Sequence, residues 1–183
     1  QWHKRCHRHY KPWRLAQFLG ATRRARMTSQ VEQRMAEMGL ALPLDWTPRG
    51  QFLPFRKDGT TVYLSGQICE WDGAVTHVGP VVDTPDEIVA GQAGARICAL
   101  NLIYRLRAAC DGNLDRVDMI LRLGGFVNCR AGFAQSPAVI NGATEVFIAL
   151  FGDQGWHART AVGVSGLPGN ASVEVDAIVR LKD

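Results

Sequence analysis

The sequence predicts an α/β (α+β) domain in which one sheet carries two helices on one face. Two stretches with apolar residues at helical spacing, 83–110 and 136–152, alternate with β-branched runs at 60–67, 114–129, 159–166 and 172–181. Turn signals punctuate them, among them Asp58-Gly59, Asp111-Gly112 and Leu167-Pro168-Gly169-Asn170-Ala171. A length of 183 residues with 46% hydrophobic content suits one domain with a full-sized core.

The elements follow in order. Ser29-x-x-Glu32 forms a capping box, helix formers follow, and Gly39 stands where the helix stops, so a helix is expected over Ser29–Met38. A Pro-rich linker leads to FLPF and TTVYLSGQ, which flank Arg56-Lys57-Asp58-Gly59 as a β-hairpin. Trp71-Asp72-Gly73 turns the chain into AVTHVGPV, a short strand or edge. Asp83-Thr84-Pro85-Asp86-Glu87 carries a cap, an early proline and early acids, the marks of a helix start. Ile88, Val89, Ala95, Ala99, Leu102, Ile103 and Leu106 continue it to about 110.

LDRVDMILRLGGFVNC reads as a long strand with Val117, Met119, Leu121 and Leu123 on one parity. Its Gly124-Gly125 pair marks a bulge or a close backbone approach. A second helix runs from Ser136-Pro137 to Gly152, and strands at 159–166 and 172–181 form the C-terminal pair. On the sheet's other face the reading places small or apolar residues (Leu64, Gly66, Ala161, Gly163 and Ser165), with no third long helix to cover them. An uncovered face implies self-association.

Charge is unevenly spread. Residues 1–26 hold eight of the 21 Lys and Arg, three His and no acid, which leaves 13 basic against 17 acidic residues, or −4, from Met27 onward. The basic pI therefore does not describe a nucleic-acid groove on the folded body. Residues 1–26 have three readings: a stretch foreign to the native chain with Met27 its start, a mitochondrial presequence, or a basic arm for an acidic partner. The first is favoured, and the segment is expected to be disordered or non-native. The domain divides accordingly into the 1–26 extension, a 27–49 helix and linker, and the 50–183 body. No apolar run reaches the roughly 20 residues a membrane span needs. Five cysteines, an odd number with no C-x-x-C pair, read as buried free thiols of a reducing compartment.

Three pieces carry a family resemblance: YLSGQI at 63–68, AVINGATEVFIALFG at 138–152 and ARTAVGVSGLPGNASVEVDAI at 158–178. With the element order they cover about 50–181, and the chain resembles the reactive-intermediate deaminases (the Rid or YjgF-like family). The resemblance implies a chorismate-mutase-like fold with a single mixed sheet, and a homotrimer with clefts between subunits. It also implies hydrolysis of 2-imino or 2-enamino acids to 2-keto acids and ammonia. Position by position it makes Arg159 the substrate-carboxylate ligand and Glu174 the catalytic group that positions or activates water. Ser65 and Asn141 would line the cleft. Phe52 stands where the family has an aromatic hydroxyl, and Ala161 where a cysteine is common. The N-terminal helix, which short members lack, points to a divergent subgroup.

The residue types agree with that chemistry. Arginine offers a planar, permanently charged fork for a carboxylate. Glutamate can orient water and exchange protons with nitrogen. If the C-terminal strands pair as a simple hairpin, Glu174 lies opposite about Val164, and Arg159 lies about 15 Å or more away. One chain could not then offer both to one small substrate, whereas two chains of a symmetric ring could. The reaction requires no metal, flavin or pyridoxal cofactor.

By residue type alone, Arg159 also reads as a surface charge or ion-pair member, Glu174 as a solvated strand residue, Asn141 as a local hydrogen bonder and Ser65 as a turn support. Asp176 reads as a polar-face residue. His77 and His157 have the residue type for ribonuclease-like acid–base work, but the acidic body opposes RNA as substrate. The expected partners are further copies of the chain and a small 2-imino or keto acid, with no nucleic acid and no membrane. The expected compartment is the cytoplasm, or the mitochondrion if residues 1–26 are a presequence. The alternatives are a trimeric, non-catalytic small-carboxylate-binding regulator and, behind it, an RNA-processing or chaperone-like role.

Overall fold

The structure is a computed structural model that describes residues 29–44 and 50–183. The readings placed on 1–28 and 45–49 lie outside the described residues. One mixed five-stranded sheet, in the order β1-β2-β7-β5-β6, carries helices on one face. Its strands are β1 (Phe55–Asp58), β2 (Thr61–Ile68), β5 (Val117–Asn128), β6 (Ala158–Val164) and β7 (Val173–Leu181). A two-stranded ribbon, β3 (Glu70–Trp71) and β4 (Ala74–Val75), takes up only the start of the short strand expected at 74–81, with Val78 and Val81 making isolated bridges beyond it. The helices are α1 (Gln30–Glu37), α2 (Pro85–Ala109) and α3 (Ser136–Phe151).

Local chemistry sets the helix ends. The Ser29 hydroxyl accepts from the Glu32 amide while the Glu32 carboxylate accepts from the Ser29 amide, the reciprocal pair of a capping box. Asp115 adds acceptors for the Gln30 and Val31 amides, and Arg107 pairs with Glu32, which ties α1 to the body. Thr84 caps α2, with Pro85 in its first turn. The four described cysteines, Cys69, Cys98, Cys110 and Cys129, are free and buried.

Three expectations need correction. First, the C-terminal strands are not a hairpin. β6 pairs in parallel with β5 alone, and β7 runs antiparallel on the other side of β5, between β5 and β2. A hairpin would leave that central slot empty, and β7 fills it with Val173, Val175, Ala177 and Val179, all buried. The turn around Gly169 and Asn170, both at positive φ, steers the chain across β5.

Second, the parity of β5 is broken by bulges between Val117 and Met119 and between Ile120 and Arg122. The buried set is Val117, Ile120, Leu123 and Val127, while Met119 is exposed. Gly124-Gly125 is not a bulge, because the register runs through it unbroken. It is a close approach, in which a side chain at Gly125 would strike Ile140 of α3.

Third, apart from Gly66, which lies against the Glu174 carboxyl, the uncovered face carries other residues than those expected. Leu64 is 4% exposed and packs in the core, and Ala161 and Gly163 share the helix-side register of Gly125 and Val127. The open face instead presents Tyr63, Phe126, Val162 and Ile178, among the ion pairs Arg122–Asp176 and Arg180–Asp118.

The two long helices pack closely because Gly142 of α3 faces the backbone carbonyl of Gln92 in α2 without an intervening side chain. Gly142→Ala drives a methyl into that carbonyl and should destabilise the fold by about 1–3 kcal/mol. Chemical denaturation should show a lower midpoint at unchanged slope.

Candidate functional site

Arg159 and Asn141 meet on the helix side of β6. Arg159 lies beside Leu123 in the parallel register, so its side chain leaves the sheet toward α3. There Nη1 donates to Asn141 Oδ1 at 2.8 Å and Thr144 Oγ1 at 3.0 Å, and Nη2 donates to the Pro137 carbonyl at 3.3 Å. All three acceptors are neutral. Among the described residues no carboxylate pairs with Arg159, although five other arginines have acidic partners. Of a guanidinium's five N–H groups, three are taken. The two left, on Nε and Nη2, form one edge of the fork, which can take a carboxylate bidentately.

Glu174 points the other way. It lies beside Phe126, between the buried Val173 and Val175, so its carboxyl leaves the face opposite the helices. It occupies the space left by the missing side chain of Gly66. With Phe52, Gly66, Gln67, Ile68, Glu70, Asn101 and Pro168 it lines a pocket of about 210 Å³. Burial first, and the nearby Asp176 second, hold the Glu174 carboxyl above the usual carboxylate range. Asp176 is raised too, by burial, which Arg122 and the Gly124 amide oppose.

Phe52 shares the Glu174 pocket, whereas Ser65 stands behind it. The Ser65 hydroxyl donates to the Leu53 carbonyl at 2.7 Å, and its amide bonds the Pro54 carbonyl. Ser65 therefore braces the loop that presents Phe52. His77 lines a different pocket with Val78, Pro80 and Glu87, and His157 lies behind Thr144, so the two do not form an acid–base pair.

Three strands' worth of sheet and the change of face separate the two groups. Along the strands the offset is three residues and across them two spacings, which places the Arg159 and Glu174 Cα atoms about 14 Å apart. The strands do not form the expected hairpin, and the register leaves the two groups slightly closer than the roughly 15 Å or more which a hairpin implies.

Sequence reasoning missed Thr144, although its signal was present: it lies three residues after Asn141 and so on the same helix face. Gln67, Glu70 and Asn101 carried no such signal. Asn101, 6% exposed, donates to the Ile68 and Glu70 carbonyls and holds the pocket floor. Only the packing of α2 on β2 brings these residues together.

The family described as "YjgF/chorismate_mutase-like, putative endoribonuclease" matches residues 32–180, and the chain belongs to it. The chain is 35% identical over 157 residues to Protein TCP17 of Trypanosoma cruzi, covering 85% of this chain and 97% of that one. It is 29% identical to a 2-iminobutanoate/2-iminopropanoate deaminase of Dermatophagoides farinae, over 78% of this chain and 95% of that one. Among solved structures, the protein Atu1372 of Agrobacterium tumefaciens, of unknown function, superposes with a TM-score of 0.76 at 36% identity. That match covers 84% of this chain and 93% of the other. No described helix is long and apolar enough to cross a membrane.

A carboxyl with a raised folded-state pKa stabilises the fold below its unfolded value and loses that contribution as pH rises through the folded one. At neutral pH the ionised Glu174 therefore opposes folding. Glu174→Gln should raise the thermal midpoint by a few degrees at pH 7. The gain should shrink as pH falls through the raised folded-state pKa and be gone below about 4, where an ordinary glutamate is itself protonated.

Proposed function

We propose that the protein hydrolyses reactive 2-imino or 2-enamino acids to 2-keto acids and ammonia, in clefts shared between copies of a homotrimer. The observation that carries this reading is the cradle of Arg159. It is a cation held by three neutral acceptors, with a carboxylate-sized edge left open and no acid of its own among the described residues. The deaminase name of the mite relative supports the same reaction class.

The residues divide the work. Arg159 grips the substrate carboxylate and fixes the imine carbon beside it, the proximity contribution to rate. Glu174 takes a proton from water as the oxygen adds to that carbon and passes it to the nitrogen, giving a carbinolamine. It then takes the new hydroxyl proton and passes that to the same nitrogen, so the C–N bond breaks, ammonia leaves and the keto C=O forms. Its raised pKa suits a group that must both accept and donate near neutral pH. Phe52 supplies an apolar wall without a hydroxyl.

Because Arg159 and Glu174 leave opposite faces of one sheet, a shared substrate needs groups from two chains. Two features support such an assembly. β6 is an edge strand, and the open face exposes Tyr63 and Val162 by 48% and 41%.

A second reading, a trimer that binds small carboxylates without turnover, is favoured by the aromatic wall at Phe52, which lacks a hydroxyl. Supplied with a freshly generated 2-imino acid, the purified protein should speed keto-acid release. Arg159→Ala should lower that rate on the order of 100-fold, as should Glu174→Gln, with the trimer mass unchanged in sedimentation. A fully active Arg159→Ala protein defeats the assignment. Tight keto-acid binding with no hydrolysis across a substrate panel selects the binding module.

A further inference from the structure

This inference rests on the reading of Arg159 as the carboxylate ligand and concerns what aims it. Behind the guanidinium runs a chain of hydrogen bonds whose direction can be worked out atom by atom. His157 Nδ1 lies 2.7 Å from the Gly155 carbonyl oxygen. A carbonyl can only accept, so Nδ1 carries the proton. Burial, and then the charge of Arg159, hold the His157 pKa below the ordinary histidine range against the opposing Gly155 bond, so the ring is neutral at pH 7.

In a neutral ring with Nδ1 protonated, Nε2 is an acceptor. It lies 3.1 Å from Thr144 Oγ1, so the Thr144 hydroxyl donates to it. The hydroxyl proton is then committed to His157, and the Thr144 lone pairs face the Arg159 Nη1 donor at 3.0 Å. Phe147 fixes the ring plane from the side, with ring centroids 6.3 Å apart in an edge-on arrangement. Thr144 and Phe147 from α3, Gly155 from the preceding turn and Arg159 from β6 are thus the groups facing the ring, and Arg159 is the charged one.

We propose that His157 and Thr144 are positioning residues: the Gly155–His157–Thr144 chain locks the Thr144 hydroxyl as an acceptor and so presents the Nε/Nη2 edge of Arg159 to the substrate carboxylate. Without the histidine acceptor, the Thr144 hydroxyl can rotate its proton toward Nη1, a donor against a donor, and the fork loses its aim. Neither residue touches substrate, so the effect falls on carboxylate binding.

The probe is pyruvate, titrated calorimetrically into the full-length protein. Wild type should bind it and Arg159→Ala should not. Thr144→Val should weaken binding about tenfold and His157→Phe should weaken it several-fold, while Thr144→Ser, which restores the hydroxyl, should recover most of the loss. His157→Phe keeps the ring's contact with Phe147, so a folded variant separates loss of the acceptor from loss of packing. In the wild-type protein, nitrogen-15 NMR should find the His157 proton on Nδ1.

A proton on Nε2 overturns the relay whatever the ligand data show. Unchanged pyruvate binding in Thr144→Val and His157→Phe, with binding lost in Arg159→Ala, overturns the relay and leaves the functional reading standing. Wild-type protein with no Arg159-dependent pyruvate binding overturns both.

Discussion

The parallel pairing of β6 with β5, joined through α3, is the constraint on which the rest of the architecture turns. A parallel neighbour requires the chain to cross over the sheet, and α3 is that crossover. It lays the α3 residues Pro137, Asn141 and Thr144 along the strand that carries Arg159. The same pairing uses up one edge of β5, so β7 can enter only on the other. There it also completes the hydrogen bonding of β2. From that one arrangement come the neutral cradle of the arginine, the buried row of β7, and the placement of Glu174 on the opposite face.

The charges of the domain are handled in two ways. Five of the described arginines pair with acids, as in Arg122 with Asp176 and Arg180 with Asp118 on the open face. Such half-exposed pairs contribute little to stability. Arg159 and Glu174 are exceptions in opposite senses. The arginine is given neutral acceptors but, among the described residues, no acidic partner. The glutamate is partly desolvated and placed near a like charge, and among the described residues no hydrogen-bond donor meets its carboxyl. The placement of the glutamate costs folding energy that a plain sheet residue would not, and sites that must bind or transfer charge are where such costs are found.

The element list was legible because it rests on local rules. Helix caps at Ser29 and Thr84, turns at Asp58-Gly59 and Asp111-Gly112, and the periodicity of residues 85–109 all act within a few positions. Long-range pairing was not legible. Val-Glu-Val after Leu-Pro-Gly-Asn looks like the second arm of a hairpin, and nothing local says that β5 lies between the two arms. The bulges of β5 likewise exchanged Met119 for Ile120 in the core, a change that one inserted residue produces and composition does not reveal. Among the site residues, Arg159, Asn141 and Glu174 could be named from motif and residue type. Ser65 could be named too, but its hydroxyl proves to hold the Leu53 carbonyl.

By itself, then, the sequence determined the kinds and order of elements, the family, and the residue types available for chemistry, since each depends on neighbours in the chain. Tertiary structure alone decided which strands adjoin, which face each charge leaves by, and that Thr144 and His157 stand behind Arg159. Those are contacts between segments far apart in sequence, chosen by which packing buries the apolar faces of β5 and β7 together, and no local propensity encodes that choice.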